Sequence, residues 1–195
     1  MLGNMMDRPL LISSLLDFAV QNHPRARITT RLTEGGFHDC TWVDIDRRAR
    51  QLANALTAAG VRPGDRIGTL AWNNHRHLEL YFGVSGMGAV LHTINPRLFP
   101  EQIAWIVNHA EDRYLFVDLT FMPLVEALAD HLGKVEKIVV MTDRAHMPAT
   151  SKFANLACYE EFVGNAGTRY DWPDFDEKTA GSLCYTSGTT GNPKG

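Results

Sequence analysis

The sequence predicts an α/β fold, with alternating βαβ units around a mainly parallel sheet. Three observations carry that prediction. Short apolar runs alternate with segments whose apolar residues recur at helical spacing, from residue 66 to residue 141. Turn and cap residues mark nearly every change of period. A last short apolar run, residues 179–185, leads into a Gly/Thr-rich stretch.

The elements follow in order. A first helix is predicted from about Ser13 to Gln21, ending near Pro24. Arg27–Leu32 and His38–Trp42 flank Glu34-Gly35-Gly36, which reads as a hairpin. Thr41 and Asp44 have the spacing of a capping box, with Asp in place of Glu. Behind them Ile45, Ala49, Leu52, Ala53 and Leu56 form one apolar helix face. Gly60 suits a helix C-terminus, and Arg62-Pro63-Gly64-Asp65 a turn. Arg66–Trp72 reads as a buried strand, His75–Met87 as a helix and Ala89–Ile94 as the next strand. Pro100 stands at a first helical position, ahead of Ile103, Ile106, Val107 and Ala110. Tyr114–Val117 is a strand. Thr120 is expected to cap a helix carrying Leu124, Val125, Leu128 and Leu132, with Gly133 beyond its end. Lys137–Met141 is a further strand. Between residues 142 and 178 the pattern weakens to a surface connection, with one short helix near Tyr159–Val163. Thr179–Tyr185 is the last strand. The expected organisation is an α/β subdomain over 1–141, that connection over 142–178, and a strand and loop over 179–195 opening a next subdomain.

Composition narrows the function classes. The chain has 195 residues, 45% hydrophobic and 21% charged, with a net charge of −3. That charge argues against a nucleic-acid footprint, which would be basic. Arg47, Arg48 and Arg50 read as the wet face of a helix. Cys40, Cys158 and Cys184 are odd in number and widely spaced, which suits free thiols in the cytoplasm better than a disulfide framework. The apolar run Leu10–Leu16 is too short to span a membrane, and no cleavage site follows it.

The strongest chemical signal is Tyr185-Thr186-Ser187-Gly188-Thr189-Thr190-Gly191-Asn192-Pro193-Lys194-Gly195. Glycines let the backbone approach a ligand closely. Successive N–H groups in such a loop form an anion-binding concavity. Hydroxyls can bond phosphate oxygens or ligate Mg²⁺, and lysine adds a compact positive charge. A solvated turn is the plain alternative. The Walker A pattern fails, because Lys194 follows Pro193 and precedes Gly195, where a Gly and a Ser or Thr belong. The dinucleotide pattern fails on spacing.

The stretch 186–195 resembles the phosphate-loop signature of adenylate-forming enzymes: acyl-CoA synthetases, firefly luciferase and peptide-synthetase adenylation domains. Thr41, Trp42 and Asp44, with Pro63-Gly64-Asp65-Arg66-Ile67, are similar to the opening of these enzymes. Residues 89–98 and 103–112 resemble the medium- and long-chain fatty acyl-CoA synthetases. The start, through Pro9-Leu10-Leu11-Ile12-Ser13-Ser14-Leu15, is similar to bacterial 3-methylmercaptopropionyl-CoA ligases of that branch. The resemblance implies part of the large N-terminal domain of an adenylate-forming ligase. The family's Mg²⁺-binding Glu, ribose-holding Asp and C-terminal catalytic Lys would lie beyond Gly195. The expectation is therefore an N-terminal fragment, inactive by itself.

What the resemblance implies is a ligase using ATP, Mg²⁺ and coenzyme A. It would activate a fatty or short thioether acid as acyl-adenylate and pass it to CoA. Gly188 and Gly191 would let amides meet the phosphates. Ser187, Thr189 and Thr190 would add hydroxyls, Thr186 would ligate Mg²⁺, and Lys194 would balance charge on pyrophosphate. An enzyme loading a carrier protein, or a non-catalytic fragment acting by homodimer formation, are the competing readings. Elsewhere, His75, Arg76, His77 and Glu79 read as a solvated helix start rather than a metal site. His92 and His109 read as packing or hydrogen-bonding residues rather than general bases. Trp42, Trp72, Trp105 and Trp172 read as core or interface anchors, and Cys184 as an inert buried thiol.

Overall fold

Strand residues in this chain divide cleanly between two faces. In β5 (Tyr114–Val117) and β6 (Lys137–Val140), Tyr114, Phe116 and Val139 enter one apolar cluster, while Leu115, Val117, Ile138 and Val140 enter another. That alternation is what a sheet covered on both faces requires. The structure, a computed structural model, describes residues 3–4, 6–154, 156–186 and 193–195.

Further strands are β3 (Arg66–Leu70), β4 (Val90–Thr93), β7 (Leu156–Cys158) and β8 (Ser182–Cys184). Among the described residues the main sheet has six strands, in the order β7-β6-β5-β3-β4-β8, and every neighbouring pair is parallel. Helices α2 (Trp42–Ala58), α3 (His75–Gly86) and α6 (Tyr159–Gly164) cover one face, and α4 (Pro100–Ala110) and α5 (Met122–Ala127) the other. The predicted α/β class with a mainly parallel sheet is the observed one. A separate antiparallel hairpin, β1 (Arg27–Arg31) and β2 (Phe37–Thr41), packs with α1 (Ile12–Asn22) beside α2 and α3 through Leu16, Cys40, Ile45, Ala49 and Phe82.

Local signals set several boundaries. The Thr41 hydroxyl accepts from the Asp44 N–H, and the Asp44 carboxylate accepts from the Thr41 N–H at 3.0 Å, so the capping box forms. It ends β2 at Thr41 and puts Trp42 in the helix rather than the strand. Asn74 caps α3 by accepting from His77 N–H at 2.9 Å. In β3, Gly68 is required by a close approach: a Cβ there would lie 2.8 Å from the Asp112 carboxylate.

Other expectations are corrected. Thr120 caps nothing; it lies within a 3₁₀ turn, Leu119–Phe121, and α5 starts at Met122 with Pro123 in its first turn. The helix predicted to reach Leu132 stops at Ala127 and gives way to a second 3₁₀ turn, Ala129–His131. Within 142–178 the structure adds β7 at the sheet edge, just before α6. Its three residues are too few to show a period. The last strand, β8, joins β4 in the same sheet.

Candidate functional site

Two of the seven expected loop residues, Thr186 and Lys194, are among the described residues. Ser187, Gly188, Thr189, Thr190 and Gly191 lie outside them. Thr186 and Lys194 face each other in an antiparallel bridge. Thr186 N–H donates to the Lys194 carbonyl at 2.9 Å, and Lys194 N–H returns to the Thr186 carbonyl at 3.2 Å. The Thr186 hydroxyl also lies 3.3 Å from the Lys194 carbonyl. The bridge holds Thr186 and Lys194 side by side, just beyond the end of β8. That is the carboxyl end of a parallel strand, where open α/β sheets bind ligands.

Tyr185 anchors the stem. Its hydroxyl lies 2.6 Å from His109 Nδ1. His109 in turn stacks on Trp105, one helical turn earlier on α4, at 4.5 Å between ring centroids. Trp105 and His92 also face the Tyr185 ring, at 6.2 and 5.2 Å. Burial raises the Tyr185 phenol above its ordinary value, so it stays a neutral hydroxyl. Gly195 is packed against Tyr185 so closely that a Cβ there would meet the ring at 2.8 Å. The sequence marks His109 as a packing or hydrogen-bonding residue and gives Tyr185 no role, because the two, 76 residues apart, are brought together by the fold.

Below Tyr185, His92 Nδ1 and Asp112 Oδ2 lie 2.7 Å apart, both fully enclosed. Burial pushes the Asp112 carboxyl up, and the contact with His92 partly offsets that. Packing and hydrogen bonding, as read from sequence, are what His92 and His109 do here.

At the carboxyl ends of the strands on the other side of β4, the start of α3 is buried, not solvated. His75, Arg76, His77 and Glu79 are all less than a tenth exposed. Arg76 donates to Glu34 Oε1 at 2.7 Å, to Glu160 Oε1 at 2.9 Å and to the Met141 carbonyl at 2.9 Å. Glu79 accepts from the Tyr159 hydroxyl at 2.6 Å and from Arg48 at 3.3 Å. Long-range carboxylates, invisible to helical periodicity, are what draw this segment inside. Arg48 and Arg50 are likewise withdrawn from solvent: Arg48 joins Glu79 to Glu160, and Arg50 binds Asp17, Asp46 and the Tyr170 carbonyl. Arg47 alone of the three is mostly exposed. Among the described residues, no group of three or more His, Cys, Asp and Glu side chains could share a metal.

Of the tryptophans, Trp42, Trp105 and Trp172 pack against the clusters, and Trp72 lies over Phe121 at 5.0 Å while 44% exposed. All three cysteines are free. Cys184, expected to be buried, is exposed on β8, with its sulfur 3.0 Å from the Thr93 hydroxyl. Strand alternation turns Leu183 inward and Cys184 outward. Among the described residues, no helix is long and apolar enough to cross a membrane.

Comparison with known proteins bears on this site. A family model described as AMP-binding enzyme matches residues 16–195. A 3-methylmercaptopropionyl-CoA ligase of Ruegeria pomeroyi is 57% identical over all 195 residues. A medium-chain-fatty-acid–CoA ligase of Ectopseudomonas oleovorans is 47% identical over the same length. The chain spans 36% of the length of each. The crystal structure of the anthranilate CoA ligase AuaEII in complex with anthranoyl-AMP matches with a TM-score of 0.76 and 27% identity, over 91% of this chain and 33% of that one.

Proposed function

The chain belongs to the AMP-binding enzyme family, and from that premise we propose that its full-length gene product is an AMP-forming acyl-CoA ligase. In the first half-reaction a carboxylate oxygen attacks the α-phosphorus of ATP. The bond to pyrophosphate breaks, leaving acyl-adenylate. In the second, the coenzyme A sulfur attacks the acyl carbonyl and AMP departs with the electron pair. The first step is chiefly positioning and charge neutralisation.

The observation that carries this reading is the closed stem at Thr186 and Lys194 around a Gly/Thr-rich sequence. The donor set fits polyphosphate: backbone amides at Gly188 and Gly191, hydroxyls at Ser187, Thr189 and Thr190, and the Lys194 ammonium for the departing pyrophosphate. Thr186 is the residue of this chain whose hydroxyl would hold Mg²⁺, a hard cation that takes oxygen ligands and offsets phosphate charge. The acid class we favour is a short thioether acid or a medium-chain fatty acid, on the 57% and 47% identities above. Three free thiols suit a reducing, cytoplasmic setting.

The competing reading is transfer to a carrier protein. Incubating the full-length product with ATP and acid, and offering either CoA or a phosphopantetheine carrier, separates the two. Thioester formation on CoA is expected, and transfer to the carrier alone would overturn the assignment. Self-association through this region is a separate proposal. Sedimentation of the chain tests it, with a dimer expected and a clean monomer counting against it.

A further inference from the structure

The phosphate loop's stem is tied to the fold by a chain of contacts that the reaction chemistry does not itself require. The Thr186–Lys194 bridge sits next to Tyr185, and Tyr185 is gripped from three sides. Its hydroxyl meets His109 Nδ1 at 2.6 Å, its ring meets Trp105 edge-on, and Gly195 packs so closely that a Cβ there would lie 2.8 Å from the ring. His109 and Trp105 stack on one face of α4 with their planes 18° apart, so each limits the other's rotamer. The end of α4 is itself bound to the sheet, because Arg66 Nε donates to the Ala110 carbonyl at 2.6 Å.

We propose that His109 is a positioning residue for ATP binding: through the Tyr185 hydroxyl it fixes the stem of the phosphate loop before nucleotide arrives. This rests on reading residues 186–195 as the ATP loop. Several backbone N–H groups can meet one polyphosphate only when the two ends of the stretch that carries them are held in the right relative placement. Apparent affinity falls by the fraction of molecules with a competent loop. Releasing Tyr185 lowers that fraction in the free protein and leaves the bound, reacting arrangement largely intact. The effect therefore falls on the ATP concentration needed, not on turnover at saturation.

The test is acid-dependent ATP–pyrophosphate exchange by the full-length gene product, with ATP varied. Tyr185→Phe removes one oxygen and His109→Ala removes its partner. Each should raise the ATP KM about three- to tenfold, the scale of one hydrogen bond, and leave kcat within about twofold, as a population shift implies. The double variant should be no worse than either single one, since both remove one interaction. His109→Asn, whose amide lies where Nδ1 lies, should restore the wild-type KM; His109→Gln, whose amide is displaced by one carbon, should not. If His109→Ala fails to fold, Tyr185→Phe carries the test. Unchanged ATP KM in Tyr185→Phe, with exchange intact in the wild type, overturns this inference alone. Absence of exchange in the wild type overturns the ATP-loop reading and this inference with it.

Discussion

Thr186 and Lys194 exchange both backbone hydrogen bonds across an antiparallel bridge. The bridge uses backbone atoms of Lys194, so its side chain can be removed without opening the stem. Lys194→Ala should therefore leave the fold and thermal midpoint unchanged while slowing adenylation about a hundredfold, the scale for losing one charge-stabilising donor. ATP–pyrophosphate exchange by the full-length product reads this. Unchanged exchange would remove Lys194 from the chemistry.

The Arg76 guanidinium is the hub of the buried ionic cluster, and Glu34 beside it is only 4% exposed. Truncation leaves that carboxylate with only two neutral side-chain donors, the Thr142 hydroxyl at 2.7 Å and the Thr33 hydroxyl at 3.1 Å. Arg76→Ala should lose about 3–5 kcal/mol, the usual result of orphaning a buried charge. Arg76→Met combined with Glu34→Leu should recover most of that loss, because no charge is then stranded. Urea unfolding measures both. Equal stability of Arg76→Ala and the parent would contradict the cluster's geometry.

Asp118 is fully enclosed at the end of β5, accepting from Trp72 N–H at 2.6 Å and from Asn74. Burial pushes its carboxyl up to about 6, above the ordinary 3.8. Between those values the unfolded chain gives up the proton and the folded one retains it, so this group makes stability fall as pH rises from about 4 to about 6. The loss is about 3 kcal/mol. In Asp118→Asn that contribution vanishes. Stability of the variant relative to the parent should climb over this window; parallel profiles in urea titrations at stepped pH would refute the assignment.

Thiol labelling separates the three cysteines. Cys184 is exposed, whereas Cys40 and Cys158 are buried and burial pushes the Cys40 thiol up to about 11. One thiol should react rapidly in the folded chain at pH 8, and Cys184→Ser should abolish that fast phase. Three equal rates, or a fast phase that survives the substitution, would contradict the exposure seen here.

What could be read in the sequence was what is decided locally. The Thr41–Asp44 box, the αL glycine at Gly60 and the apolar runs of β3, β4, β5 and β6 depend on residues within a turn or two of each other. Burial of the charged residues at the start of α3 depends on partners far away. Arg76 meets Glu160, 84 residues on, and Arg48 meets Glu79, 31 residues on. By helical spacing alone these side chains look solvated. The same holds for Tyr185 and His109, 76 residues apart. Within the loop, residue types were legible, and the stem became visible only as a pair of backbone hydrogen bonds. Strand β7 escaped because three residues carry no period.

Adenylation of a carboxylic acid by the full-length product, at the loop whose stem is Thr186 and Lys194, is the proposed activity. Its most direct test is exchange of labelled pyrophosphate into ATP with and without acid, using 3-methylmercaptopropionate and octanoate. Exchange should depend strictly on one of these acids, and AMP, not ADP, should be released when CoA is added. Exchange with neither acid, or formation of ADP and phosphate, would contradict it.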